Sequence, residues 1–182
     1  MKAEQSHCTN LGFESICVIG LGLIGASFAG AVKEANPAVH VVGVDTDAPT
    51  LAIAEEKGWA DRALLPTDEA LADHLANSCQ LAVIATPVAA VDDYFRLLAD
   101  CGFSGVVTDT ISTKAHILEA AELLLPASCD FIPGHPMAGS EQSGIAGARA
   151  DLFKGINWIL CPDSATVPEN FQHLHELITG IE

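Results

Sequence analysis

An apolar run that ends in three spaced glycines constrains this chain more than anything else in it. Ile16-Cys17-Val18-Ile19 leads into Gly20-Leu21-Gly22-Leu23-Ile24-Gly25, and a helix-favouring stretch follows to about Ala35. The pattern is G-x-G-x-x-G, placed where a buried strand hands over to a helix. Gly20 allows the tight turn out of the strand. Gly22 has no side chain, so a pyrophosphate can approach the backbone. Gly25 lets the helix pack closely on the strand. The helix then aims its free N–H groups and positive dipole end at the phosphates. Gly20, Leu21, Gly22, Leu23, Ile24 and Gly25 are therefore candidate cofactor-binding residues.

The next segment supports this reading. Val39 to Val44 has the character of a second strand and ends in Asp45, twenty positions after Gly25. An acid at that point accepts hydrogen bonds from the adenosine ribose hydroxyls, which favours NAD over NADP. A 2′-phosphate needs a cation, and Thr46, Asp47 and Ala48 supply none. Strand, glycines, helix, strand and acid in that order outweigh an ordinary glycine turn.

Along the rest of the chain, strand-like and helix-like stretches alternate. Strands are expected at about 15–20, 39–45, 60–65, 80–85, 105–108, 129–132 and 157–160. Helices are expected at about 23–35, 48–57 after Asp47, 67–77 capped by Thr67, and from Pro87 capped by Thr86. Two more follow, one ending near Leu125-Pro126 and one over 167–179. The implied fold is α/β, a Rossmann-type doubly wound, mainly parallel sheet with helices on both faces. Residues 1–13 are expected as a flexible lead-in and 14–182 as one dinucleotide-binding domain. The chain stops just after a helix where this architecture normally adds a strand, so it is expected to be the first part of something longer.

Charge and cysteine usage exclude other classes. The net charge is −16 in 182 residues, which argues against nucleic acid and against an anionic membrane surface. No stretch reaches the roughly 20 uninterrupted apolar residues of a spanning helix. The apolar run near the N-terminus is broken by glycines and preceded by Glu4 and Glu14, unlike an export signal. The six cysteines include no C-x-x-C pair, and no histidine stands at a zinc-finger spacing. They are expected to be reduced thiols in a cytoplasmic protein, with Cys17 and Cys161 as small buried residues in or beside strands, and no metal is expected.

Ligands of open α/β sheets bind beyond the C-terminal strand ends. Three polar loops leave those ends. Thr86-Pro87 follows the fourth strand, and Asp109-Thr110-Ile111-Ser112-Thr113-Lys114 follows the fifth. Gly134-His135-Pro136-Met137-Ala138-Gly139-Ser140-Glu141 follows the sixth. Thr86, Pro87 and Asp109 are further candidate cofactor contacts. His135 stands at a strand end, whereas His7, His74, His116, His173 and His175 fall on tails or helices. Ser112 alone would be read as a helix cap and His135 alone as a backbone-bonded loop residue. Side by side near a nicotinamide they indicate a catalytic pair. Lys114 fits an anion contact and a surface position equally well.

The glycine loop, two of these loops and a later stretch carry a family resemblance. Val18 to Gly25, the Asp109–Lys114 turn, the Gly134–Glu141 segment, and Leu152-Phe153-Lys154-Gly155 with Trp158-Ile159-Leu160 resemble the nucleotide-binding half of the prephenate/arogenate dehydrogenases. The resemblance covers about residues 14–182, and the Gly-His-Pro-Met-Ala-Gly-Ser-Glu segment is its specific part. It implies NAD-dependent oxidation of prephenate with loss of carbon dioxide, giving 4-hydroxyphenylpyruvate for tyrosine biosynthesis. It also implies that His135 accepts the proton of the substrate's ring hydroxyl, that Ser112 orients that hydroxyl, and that Ser140 and Glu141 line the substrate rim. The turn carries Ile111 where the family usually has glycine. The family's second, helical domain, which dimerises and supplies an arginine for a substrate carboxylate, is absent from this chain, so the chain alone is expected to bind NAD with little turnover.

Arogenate is the alternative substrate within the same chemistry. A non-catalytic NAD-binding or redox-sensing module fits the glycine loop and Asp45 equally well. It does not account for Ser112, His135 and Glu141 together, because a sensor needs no proton acceptor beside the nicotinamide.

Overall fold

Six parallel strands in the order β3-β2-β1-β4-β5-β6 form the centre of the molecule. The computed structural model describes residues 11–139 and 141–182. The strands are β1 (Ser15–Ile19), β2 (His40–Val44), β3 (Arg62–Leu64), β4 (Leu81–Ile84), β5 (Val106–Asp109) and β6 (Asp130–Ile132). Helices α1 (Leu23–Ala35), α2 (Ala48–Glu56), α3 (Glu69–Asn77), α4 (Val91–Asp100) and α5 (Lys114–Leu124) connect them, and α6 (Pro168–Ile181) closes the chain. This is the Rossmann-type doubly wound order, with its switch point between β1 and β4.

The sheet is apolar on both faces because both are covered. In β1, Ile16 and Val18 point to one core, while Cys17 and Ile19 point to the other. In β4, Leu81 and Val83 alternate with Ala82 and Ile84 in the same way. The period-two alternation of strand side chains thus feeds two cores rather than one core and a wet face. The first core takes α1, α2 and α6 through Phe28, Leu51 and Leu174, and the second takes α3, α4 and α5 through Leu71, Phe95 and Ile117. Each fully buried side chain of this size contributes about 1.5–3 kcal/mol. The buried faces of α4 and α6 carry Val91, Phe95 and Leu98 and Leu174 and Ile178, while Val88, just before α4, stays exposed.

Several local expectations need correction. The lead-in boundary falls too late, since Leu11 is 1% exposed and Phe13 6%, both inside the first core. Asp68, not Thr67, is the N-cap of α3, and its carboxylate turns back to accept the Leu65 N–H at 2.9 Å. Thr86 and Pro87 do not begin α4. A 3₁₀ turn over Val88–Ala90 intervenes, with Pro87 at its N-cap, and the Thr86 hydroxyl caps nothing. Cys161 is exposed rather than buried.

The long loop expected after β6 also contains structure. Gly134–Pro136 forms β7, which pairs antiparallel with β8 (Trp158–Leu160), His135 facing Ile159. A strand of three residues is too short to leave a periodic signal, and its partner lies more than twenty residues further on.

Candidate active site

At the glycine loop the backbone conformation matches the residue types. Gly20 has φ +95°, a conformation L side chains rarely adopt, and a Cβ there would lie 2.7 Å from the Ala85 carbonyl oxygen. A Cβ on Gly25 would lie 1.9 Å from the Gly20 carbonyl oxygen, so nothing larger fits where α1 crosses β1. A Cβ on Gly22 would meet nothing within 4 Å, leaving open space in front of the helix. Gly22 is the N-cap of α1, which has neither a side-chain cap nor an acidic residue in its first turn. The first amides of a 13-residue helix are therefore unoccupied by side chains and face this space, a fit for an anionic ligand.

Asp45 is tied to the same loop. One carboxylate oxygen accepts the Leu21 N–H at 2.8 Å and the other the Asp47 N–H at 3.0 Å. A carboxylate has about four acceptor sites, so capacity remains for ribose hydroxyls. Asp47 is committed elsewhere, capping α2 through Thr50. Tyr94, on α4, has the sequence signature of an ordinary core aromatic. Burial first, then the negative charges of Asp45 and Asp93, push its hydroxyl above the usual tyrosine range.

An open cleft of about 640 Å³ lies beyond the strand ends. The glycine-loop segment Gly22–Ile24, the Ala85–Val88 segment, the Thr110–Thr113 turn and Gln142–Gly144 form its walls. Thr86 and Pro87 are in that wall. Thr86 is 9% exposed and its hydroxyl oxygen has no hydrogen-bond partner among the described residues. A buried polar atom left so costs about 1–3 kcal/mol unless something satisfies it, and a ligand in the cleft would. Two larger clefts, about 840 Å³ beside α5 and β6 and about 740 Å³ at the opposite end of the sheet, contain none of the candidate residues.

Ser112 is exposed on the cleft wall, and Thr113, not Ser112, is the N-cap of α5. His135 is joined to this wall through Thr110, whose carbonyl oxygen lies 3.1 Å from His135 Nδ1. A carbonyl only accepts, so Nδ1 must carry the proton. In the neutral ring Nε2 is then the free acceptor. Ile111 stands at the glycine position of the family without strain, because among the described residues only glycines have positive φ. Glu141 is exposed beyond the cleft wall, and Ser140 lies outside the described residues.

Asp109 differs from expectation. It is 0% exposed and offers no oxygen to the cleft surface. Its carboxylate pairs with Lys114 and accepts the Ile111 N–H at 2.9 Å and the Gly134 N–H at 3.2 Å. Burial pushes its carboxyl up, and the Lys114 ammonium and the two amides only partly offset this. Lys114 donates to Asp109 and also to the carbonyls of Ile111 and Gly134 at 2.5 Å. Its three donors are used, so neither alternative expected for it, an anion contact or a plain surface position, describes it.

Helix α1 also holds the histidine-bearing segment. The Ser27 hydroxyl accepts the Arg149 N–H at 3.0 Å. Trp158, beside β7, packs against Phe28 and Phe153 with ring centroids 5.9 and 5.0 Å away. No group of histidine, cysteine or acidic side chains suited to a metal occurs among the described residues. Burial pushes the Cys79 thiol up to about 12 and the Cys129 thiol to about 11, which keeps both poorly nucleophilic.

Comparison with known proteins agrees with this architecture. The family profile described as "Prephenate dehydrogenase, nucleotide-binding domain" matches residues 28–182. The prephenate dehydrogenase of Bacillus subtilis is 33% identical over 174 residues, which are 92% of this chain and 44% of that protein. The cyclohexadienyl dehydrogenase of Zymomonas mobilis is 30% identical over 155 residues, 85% of this chain and 51% of its own length. The chain therefore spans about half the length of these relatives or less. Among solved structures, Synechocystis arogenate dehydrogenase superposes with a TM-score of 0.80 at 31% identity, covering 92% of this chain and 56% of that one. Prephenate dehydrogenase from Aquifex aeolicus, in complex with hydroxyphenyl propionate and NAD+, gives 0.82 at 23% identity over 93% and 57% of the two chains.

Proposed function

This chain belongs to the family of prephenate dehydrogenase nucleotide-binding domains, and from that premise we propose that it is the NAD-binding half of an enzyme that oxidises prephenate with loss of carbon dioxide. The observation that carries the reading is the His135 Nδ1–Thr110 carbonyl bond at 3.1 Å, which ties the imidazole to the turn that bears Ser112 and leaves Nε2 as the acceptor of the neutral ring.

The residues present fit the cofactor. The free amides at the start of α1 would hold the pyrophosphate, and Asp45 would accept from the adenosine ribose. Thr86 and Pro87 line the same cleft, and the unpartnered Thr86 hydroxyl would supply a further hydrogen bond to the ligand. When bound, NAD supplies an acceptor for hydride from the substrate's ring carbon.

The protein then has to manage one proton and one orientation. As the carbon loses hydride it becomes a carbonyl, and its hydroxyl must release a proton. Neutral His135 takes that proton on Nε2, and the Thr110 carbonyl steadies the resulting imidazolium through Nδ1–H. Ser112 holds the hydroxyl in line, and Ser140 and Glu141 border the substrate entrance. Loss of carbon dioxide restores the aromatic ring and makes the step irreversible, so positioning is the main demand on the protein.

A helical half, of the kind the family carries, completes the substrate pocket with a cation and forms a homodimer. The protein works in the cytoplasm, with no nucleic acid or membrane partner. Among the described residues no helix is long and apolar enough to cross a membrane. Arogenate is the second reading, favoured by the 31% identity to the Synechocystis enzyme. Calorimetry on the chain with NAD and with NADP tests the cofactor assignment. Binding of NAD, tighter than NADP, is expected, and no binding of either would contradict it. A comparison of prephenate and arogenate turnover, in the chain joined to a helical half, decides the substrate.

A further inference from the structure

The Asp109–Lys114 pair, with Asp109 fully buried and Lys114 partly so, joins the serine turn of the cleft wall to the strand that bears His135. On one side it grips Ile111, through the Asp109–Ile111 N–H bond at 2.9 Å and the Lys114–Ile111 carbonyl bond at 2.5 Å. On the other it grips Gly134 in the same double way, through the N–H at 3.2 Å and the carbonyl at 2.5 Å. Ile111 lies between Thr110, whose carbonyl holds His135, and Ser112. Gly134 is the residue immediately before His135. The pair thus closes a loop around the His135–Thr110 hydrogen bond.

Backbone size reinforces the closure. A Cβ on Gly134 would sit 2.8 Å from the Asp109 carbonyl oxygen and 3.1 Å from Trp158 Nε1, so β7 is pressed directly against the end of β5. The Thr108 hydroxyl donates to the Ile132 carbonyl at 2.7 Å one step earlier along the same two strands. Among the described residues no comparable link joins the pair to the glycine loop, whose own clamp is Asp45.

We propose that Asp109 and Lys114 are positioning residues, a clasp that holds the serine turn and the histidine strand in register and makes no contact with the cofactor. The proposal rests on the assignment of His135 and Ser112 to the reaction, and it removes Asp109 from the set of cofactor contacts. A buried pair of this kind is weak evidence for stability, because desolvation offsets most of the attraction. Its worth lies in fixing geometry. Lysine suits the task because a compact ammonium reaches three convergent acceptors, which a planar guanidinium cannot do equally well.

The test uses the chain itself, without substrate, so that it reads geometry and not turnover. The Asp109→Asn/Lys114→Met double variant removes both charges together and avoids leaving one buried alone. NMR of the His135 ring reports which nitrogen carries the proton, and calorimetry reports NAD affinity. In the parent chain the Nδ1–H tautomer dominates. In the double variant the ring becomes a mixture of tautomers and its N–H exchanges with water at least about tenfold faster, while NAD affinity stays within about threefold. Lys114→Arg keeps the charge and folds even if the double variant does not, and it shifts the tautomer ratio in the same direction. An unchanged His135 tautomer in the folded variants overturns the clasp, and so does a tenfold loss of NAD affinity with the tautomer intact. Failure of the parent chain to bind NAD would instead sink the functional reading, and the tautomer measurement would still decide the clasp.

Discussion

The glycine loop, which lines the cleft, and the histidine hairpin, which is bonded to the cleft wall through Thr110, are built in opposite ways. The loop is local. Six consecutive residues, a helix start and one acid make it, and Asp45 closes it through a single bond to Leu21. The hairpin is assembled from a distance. β7 meets β8 more than twenty residues later, Asp109 and Lys114 bond Gly134 from the end of β5 and the start of α5, and Phe28 packs on Trp158 from α1. On the proposed function, the first region fixes what binds and the second what happens to it. A change in one should therefore leave the other's property nearly untouched.

The largest effect expected is on chemistry alone. His135→Asn, in the chain joined to a helical half, cuts turnover by about 10²–10⁴-fold, the usual worth of a general base. NAD affinity stays within about twofold by calorimetry. Equal losses in both would merge the two regions. Next comes Gly25→Val, which forces a Cβ into the 1.9 Å gap at the Gly20 carbonyl. Thermal melting should show a loss of more than about 3 kcal/mol, with NAD binding abolished. A folded variant that still binds would show that close crossing of helix and strand is dispensable.

Asp45→Ala sharpens the comparison further. It removes the acceptor for Leu21 and for the ribose, and NAD affinity falls about tenfold, or about 1.4 kcal/mol, while the His135 tautomer is unaffected. The smallest effect lies at the far end of the sheet. Burial first, then the charges of His40 and Arg62, hold the His74 imidazole below its ordinary value. The unfolded chain therefore takes the proton more readily, and stability falls as pH drops through about 6.5 towards the depressed value. His74→Gln should flatten that part of a pH series of urea melts. Asp61 acts lower down. Burial alone would raise its carboxyl, but the hydrogen bond and charge of Lys33, the Val41 N–H and His40 outweigh it and hold it below the usual range. Its contribution is present above the ordinary carboxylate value and disappears as pH falls through the folded one.

The same contrast explains what could be read from the residues. The sheet, both cores and the glycine loop follow from short-range patterns: apolar runs of strand length, glycines at fixed spacing, an acid after the second strand. Ser112 and His135 were recognisable as polar residues at strand ends. The role of Asp109 was not, because a carboxylate after a strand looks the same whether it faces the cleft or turns inward. Lys114 was ambiguous for the same reason, since its three acceptors come from two remote segments. The β7–β8 pairing was hidden by the brevity of its strands, and Tyr94 by its place on an ordinary amphipathic helix. The Thr86 hydroxyl has the sequence context of a helix cap, but in the fold it is a buried group without a partner among the described residues.

The account depends on where the nicotinamide ring lies. A crystal structure of this chain bound to NAD measures that directly. The predicted result places the pyrophosphate over Gly22 and turns the nicotinamide face towards Ser112 and the Nε2 side of His135. A ring lodged away from both side chains, with the phosphates still on α1, would contradict the catalytic assignment.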